Sequence, residues 1–194
     1  MYLKIENKIQ KLDDYVLFVI KKYGQNRCLD IIMPIVTLTG NIGVIWVVIS
    51  IALIIDKPYR IIGYSIILTL FISTIVGEGI IKHIVRRIRP CNKKNYVSQL
   101  HFKQTSYSFP SGHTLSSFAA AEMLSLYFTQ YKLIFISIAF LIALSRLYLY
   151  VHYPTDVIAG VIIGVLCSKI IFIILQQEYN SSIQLILINI RNRM

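Results

Sequence analysis

Long apolar runs broken by short polar stretches fill most of the chain. A hydrocarbon core of about 30 Å takes roughly 20 residues of helix, so such runs read as membrane spans. Residues 31–55, 61–88, 111–128, 133–150 and 155–175 are the five candidates. Pro34, Gly40, Asn41 and Gly43 interrupt the first. They predict a break near Gly40, with a short surface helix before it and the span after it. The last turns of the second run are basic and are expected to protrude from the membrane. Residues 2–22 differ: Ile5, Ile9, Leu12, Val16 and Ile20 recur at helical spacing, with Lys4, Lys8, Lys11 and Asp14 off that face. This pattern predicts an amphipathic helix lying in the interface, with a short or tilted span as the alternative. Residues 183–190 are apolar but too short to span, and read as an interfacial tail. The expected fold is all-α: a multi-span transmembrane helical bundle of about five spans plus an N-terminal interfacial helix. One membrane-embedded domain is expected over residues 1–194, with the N-terminal helix in 1–26, the helical core in 27–176 and the tail in 177–194.

The breaks set the geometry. The connections after residues 55 and 128 are short, so the helices they join run antiparallel. The connection over residues 90–110 is polar and aromatic, without periodicity, and a loop of about 20 residues in a compact protein is usually functional. Its aromatic residues Tyr96, Phe102 and Tyr107 are candidates for choosing the substrate. If each span crosses once, three places share one membrane face: residues 82–90, 110–113 and 145–156. The unusual polar residues gather there.

Composition agrees with a membrane protein. Hydrophobic residues make up 56% of the chain, above the roughly 45–50% of soluble domains. The net charge of +11 raises nucleic acid as a partner, but the charge distribution argues against it. Between Glu78 and Glu122 there is no acidic residue, while Lys82, Arg86, Arg87, Arg89, Lys93, Lys94 and Lys103 all fall there, between hydrophobic spans. A basic cluster held at a membrane surface meets anionic headgroups or a phosphorylated lipid. Cys28, Cys91 and Cys167 show neither metal-ligand spacing nor a disulfide framework.

In the first of the three places, Lys82 and Arg89 are two helical turns apart, on one face of a helix that Pro90 should end at Arg89. Glu78 shares that face and could support Lys82. Arg86 and Arg87 read as a snorkelling basic collar. In the second, Pro110, Ser111, Gly112 and His113 open an apolar helix. The free amides and dipole at a helix start attract anions, Gly112 admits close approach of the backbone, Ser111 adds a hydroxyl, and His113 faces the same ground. Plain capping by Ser111 is the alternative. In the third, Arg146 ends the fourth span with a planar fork suited to phosphate. His152 and Asp156 are four apart across Pro154, so the carboxylate can reach a ring nitrogen and fix its tautomer. A capped helix with an ordinary Arg–Asp pair is the alternative. No carboxylate cluster or Cys/His set is available for a metal. Three fixed cations with two histidines suggest metal-free phosphoryl transfer, and no cofactor is expected. Glu122 and Lys169, deep in the third and fifth spans, read as structural, with mutual pairing open to them.

The order K-x6-RP, PSGH, SR-x5-H-x3-D, carried by Lys82, Arg89 and Pro90, by Pro110, Ser111, Gly112 and His113, and by Ser145, Arg146, His152 and Asp156, resembles the type-2 phosphatidic acid phosphatase and vanadium haloperoxidase superfamily. The resemblance covers residues 29–175 when the stretch LDIIMPIVTLTGNIGVIW is included. It implies that His152 is the nucleophile and forms a phosphohistidine, that Asp156 orients and activates it, and that His113 protonates the leaving oxygen and then activates water. Lys82, Arg89, Arg146, Ser111 and the Gly112 amide would hold the phosphoryl oxygens. Many bacterial integral-membrane relatives look six-spanning, with an extra span where this chain has only residues 2–22.

The leading reading is therefore a multi-pass cell-membrane lipid phosphatase acting on a terminal phosphate or pyrophosphate, of the phosphatidate, phosphatidylglycerophosphate or undecaprenyl pyrophosphate type. A lipid-linked phosphotransferase using the same site, and a non-catalytic membrane protein with a relic site, are the alternatives. The expected partners are the lipid substrate and the bilayer, with no nucleic acid and no obligatory protein partner. The positive-inside rule would put the basic face in the cytoplasm, but those charges are also the substrate site. The resemblance favours an active site on the extracytoplasmic face.

Overall fold

The structure, a computed structural model, describes residues 2–92 and 106–191. Tyr96 and Phe102 of the long loop lie outside the described residues. Those described form helices α1 (Tyr2–Val19), α2 (Arg27–Thr39), α3 (Val44–Ile55), α4 (Arg60–Thr74), α5 (Lys82–Val85), α6 (Gly112–Tyr127), α7 (Lys132–Tyr148) and α8 (Pro154–Arg191), and no strand. A π-helical segment, Ile75–Ile81, joins α4 to α5. The break expected near Gly40 is a tight turn over Asn41–Gly43, in which Gly43 adopts φ +68. That left-handed conformation favours glycine, and α3 leaves the turn bent by 46° from α2.

Three stretches are each long and apolar enough to cross a membrane: Lys57–Val85, Thr129–Tyr148 and Pro154–Glu178. The bent pair of α2 and α3 qualifies as a fourth when taken together. The third expected span, α6, has another character. Its 16 residues rise only about 24 Å, less than a hydrocarbon core of about 30 Å. Residues 114–125 are buried without a gap. α6 is thus the axis of the bundle, packed by α4, α7 and α8, and its small residues on every side fit burial on every side.

The outer helices show the opposite pattern. Ile158, Ile162, Leu166, Ile170 and Ile173 form an exposed stripe along α8, the arrangement of a helix that meets lipid outside and protein inside. On its inner face, Gly160 and Gly164 let α8 approach α6 closely: a Cβ on Gly164 would lie 2.5 Å from the Leu115 carbonyl oxygen. Small residues four apart are a common device for close contact in membranes. α8 continues unbroken through the residues expected to form a separate tail. Its 38 residues rise about 57 Å, so the last turns extend beyond the hydrocarbon layer. Glu122 and Lys169 approach to 3.8 Å across α6 and α8.

α1 lies against the bundle by a face the hydrophobic period does not mark. Ile9 and Leu12 are 44% and 60% exposed, whereas Asp13 and Leu17 are fully buried. Ile9 and Leu12 of the apolar stripe face away from the protein, as suits a helix in contact with a membrane, whereas Ile20 at its end packs against the bundle. The contact with the bundle runs through Leu17, packed on Tyr150 and Tyr153, and through the Asp13 carboxylate.

Because backbone atoms, not flexible side chains, meet the α8 glycines, Gly164→Val should force α6 and α8 apart. We expect a loss on the order of 1–3 kcal/mol, measured as a lower unfolding midpoint in detergent. A change on the lipid-facing stripe, such as Leu166→Val, should leave the midpoint nearly unchanged.

Candidate active site

Four chain segments meet at one end of α6. The π-helical segment brings Glu78 to the wall, and α5 directly after it brings Lys82; such insertions into helices often occur at functional sites. The α2–α3 turn contributes Gly40 and Asn41, the start of α6 contributes Gly112 and His113, and Arg146 and His152 come from the end of α7 and the bend after it. With Arg89, Thr74, Ser106 and Ser116 they enclose a cavity of about 390 Å³. His113 is held by Asn41, whose Oδ1 lies 2.9 Å from its Nε2. Glu78 grips Lys82 through both carboxylate oxygens at 2.6 Å and rests where a side chain on Gly112 would stand. A Cβ on Gly112 would displace the Glu78 carboxylate from this position.

The cations are fixed from behind. Arg89 donates from Nε to the Ser106 carbonyl at 2.8 Å, from Nη2 to the Ser106 hydroxyl at 2.9 Å and from Nη1 to the Val151 carbonyl at 3.0 Å. Burial lowers its guanidinium from its usual value, only partly opposed by Cys91, Glu78 and Asp156. Arg146 donates through Nη1 to the Thr37 hydroxyl, while its buried Nε has no partner among the described residues. A buried donor without an acceptor is costly, and an anion in the cavity would supply one. Among the described residues no three His, Cys, Asp or Glu side chains are grouped to hold a metal ion.

His152 is buried, and its Nδ1 lies 2.7 Å from the Ser108 carbonyl. A carbonyl only accepts, so the proton sits on Nδ1 and Nε2 carries the lone pair. That nitrogen meets Arg89 Nη1 at 2.9 Å. Burial first, then Arg89 and Arg146, push the His152 pKa down to about 3, against the upward pull of Asp156. The imidazole is therefore neutral, with its bare nitrogen turned toward a cation.

Several expectations change at this level. The helix carrying Lys82 ends at Arg86, which adopts φ 51. Lys82 and Arg89 therefore do not share a helix face; Arg89 reaches the cavity from an extended stretch of chain that Pro90 favours. Arg87 is no snorkelling collar: it donates to Asp13 at 2.6 Å, to Asp156 at 2.8 Å, to Thr155 at 2.8 Å and to Gln10 at 2.9 Å. Burial alone would lower its guanidinium, but the bonds to Asp13 and Asp156 hold it above its usual value. The Asp156 carboxylate stands 3.7 Å from His152 Nδ1, beyond hydrogen-bond reach, because Arg87 and the Tyr153 amide occupy it. Ser111 stands behind the wall: its hydroxyl pairs with Thr114 at 2.9 Å and its amide donates to the Asp156 carbonyl at 3.0 Å. Asn41, noted in the sequence only as part of a helix break, and Ser106 and Ser108 are not among the expected site residues, since nothing marks them as such until the fold brings them to the histidines and Arg89.

A bundle of membrane helices enclosing an anion cavity at one end is the architecture of a membrane-embedded phosphate-handling protein. The model of the PAP2 superfamily matches residues 58–180, and the chain belongs to that superfamily. It is 33% identical over 186 residues to an undecaprenyl-diphosphatase of Sulfolobus acidocaldarius, an alignment covering 95% of this chain and 88% of that protein. Its fold is similar to the crystal structure of a transmembrane PAP2 type phosphatidylglycerolphosphate phosphatase from Bacillus subtilis, with a TM-score of 0.71 at 23% identity over 88% of each chain. It is also similar to Aquifex aeolicus LpxE, with a TM-score of 0.62 at 25% identity over 83% of this chain and 94% of that one.

The neutral His152 makes stability depend on pH. Its folded value of about 3 lies below the ordinary 6.5, so the unfolded chain binds the proton more readily. The contribution is fully present above pH 6.5 and is lost as pH falls from 6.5 toward 3. The unfolding midpoint in detergent should fall across that window, and His152→Asn should flatten the fall; an unchanged slope in the variant would contradict a buried neutral imidazole.

Proposed function

We propose that this chain is a metal-independent integral-membrane hydrolase that removes a terminal phosphate or pyrophosphate group from a lipid through a phosphohistidine. The observation that carries the reading is the cavity wall: Lys82, Arg89 and Arg146 surround a neutral histidine whose lone-pair nitrogen meets a guanidinium. The three cations would take up charge on the phosphoryl oxygens, with the Gly112 amide at the start of α6. Ser111 would support that amide from behind by tying α6 to Asp156. Nε2 of His152 would attack phosphorus as the bond to the leaving oxygen breaks, and His113, steered by Asn41, would give that oxygen a proton. His113 would then take a proton from water as the water oxygen attacks the phosphohistidine, releasing phosphate and restoring Nε2. Asp156 would act on the transient imidazolium by charge at short range. Glu78 would hold Lys82 in place until phosphate arrives.

The relative aligned over 95% of this chain is an undecaprenyl-diphosphatase, so a polyprenyl diphosphate is the substrate class we favour over phosphatidate and phosphatidylglycerophosphate. All three keep a phosphate in water and a tail in lipid, which suits a cavity at the end of a membrane bundle. We read the chain as one membrane-embedded domain, with its cavity end on the extracytoplasmic face.

Phosphate release from the three lipids by purified protein tests the reaction. Wild type should release phosphate fastest from the polyprenyl diphosphate, vanadate should inhibit, and His152→Ala should lose at least about 10³-fold in kcat. Equal release by wild type and His152→Ala would rule the mechanism out, and phosphate passed to an added alcohol would make the chain a phosphotransferase instead. Orientation has its own test. Cys28 is exposed near the N-terminus of α2, and Asn26 beside it contacts Tyr148 at the cavity end of α7. A membrane-impermeant thiol reagent should label Cys28 on intact cells; labelling only after lysis would place the cavity inside.

A further inference from the structure

α1 enters the bundle through one fully buried carboxylate. Asp13 accepts from Arg87 Nη2 at 2.6 Å, from the Thr155 hydroxyl at 2.6 Å and from the Thr155 amide at 3.0 Å. The last bond matters for α8. Asp156 reaches back to the Tyr153 amide at 2.8 Å, which is half of a capping box. Tyr153 has no short polar side chain to supply the other half, and Asp13 provides an acceptor for this helix start from another helix. The same Arg87 that Asp13 binds also holds Asp156 Oδ1, at 2.8 Å. The order Asp13, Arg87, Asp156, His152 is therefore continuous from the N-terminal helix to the reactive ring.

Charge decides what this chain of contacts does. Arg87 alone would cancel the Asp156 carboxylate, leaving little negative charge to favour a cation on His152. Asp13 neutralises Arg87 instead, so one full negative charge remains beside the ring. We propose that Asp13 is a positioning residue of the reaction: through Arg87 it fixes Asp156 and leaves its charge free to stabilise the imidazolium that His152 becomes when Nε2 binds phosphorus. This inference rests on the phosphohistidine reading above. It assigns α1 a part in the chemistry besides contact with the membrane.

The test uses the full chain in detergent or vesicles, with the lipid that wild type hydrolyses fastest. Asp13→Asn keeps the shape and removes the charge. It should lower kcat about 10- to 100-fold, as loss of a supporting contact behind a reacting group does, with KM changed far less. Asp13→Glu should retain more activity than Asp13→Asn. Adding Arg87→Gln to Asp13→Asn should recover part of kcat, because it removes the uncompensated cation. Leu17→Ala weakens the packing of the same helix without touching charge, and should keep kcat near wild type. The inference is overturned if Asp13→Asn turns over like wild type, if Leu17→Ala loses as much as Asp13→Asn, or if the double variant is no better than Asp13→Asn. Should Asp13→Asn fail to fold, Asp13→Glu against Leu17→Ala decides: a loss in Leu17→Ala equal to or greater than that in Asp13→Glu overturns it. Failure of the underlying reading looks different, since His152→Ala would then release phosphate as wild type does.

Discussion

Several permanent cations must coexist at the end of an apolar bundle, and the rest of the site depends on how their repulsion is managed. Lys82, Arg89 and Arg146 are buried around one cavity, and Arg87 lies half-buried next to Asp156. Charge removed from water is costly unless paired or hydrogen-bonded. The protein divides the task. Lys82 has Glu78 and Arg87 has Asp13 and Asp156. Among the described residues, Arg89 and Arg146 have only neutral acceptors: carbonyls, hydroxyls and the His152 ring nitrogen. The two groups left without a carboxylate are those facing the neutral histidine, which is the arrangement an anionic ligand would complete.

That division explains the helix architecture around it. α6 must begin at the cavity, so it is short, buried on all sides and made of small residues. Gly112 must leave room for Glu78, and Gly160 and Gly164 must let α8 come close enough to bring Asp156 and His152 to the start of α6. The turn at Asn41–Gly43 bends the first span just where His113 needs a partner. The π-helical segment Ile75–Ile81 and the Asn41–Gly43 turn, two departures from a regular helix, both contribute residues to the cavity.

Much of this was legible in advance. Most of the apolar runs are as long as a bilayer demands, so those spans and the break near Gly40 follow from composition and length, whereas the short, fully buried α6 was read as one more span. Lys82, Arg89, His113, Arg146 and His152, picked out by motif, do line one cavity. The contacts behind them were not legible. Arg87 looked like a surface collar because a sequence shows an arginine near a helix end but not the buried carboxylate opposite it. Asp156 looked bound to the histidine ring because four-residue spacing allows it; which acceptor wins depends on Arg87 and Ser108, brought together from distant segments.

The sequence by itself determined an all-helical membrane bundle, because hydrophobic length and glycine or proline breaks are local properties, and it determined which residue types could handle phosphate, because motif spacing fixes them relative to helix ends. Only the tertiary structure decided how their charges balance. Asp13, on a helix whose apolar period points elsewhere, lies 74 residues from Arg87 and 142 from Thr155 in the chain. Electrostatic pairing depends on distance and burial in space, and neither is written in the local pattern of residues.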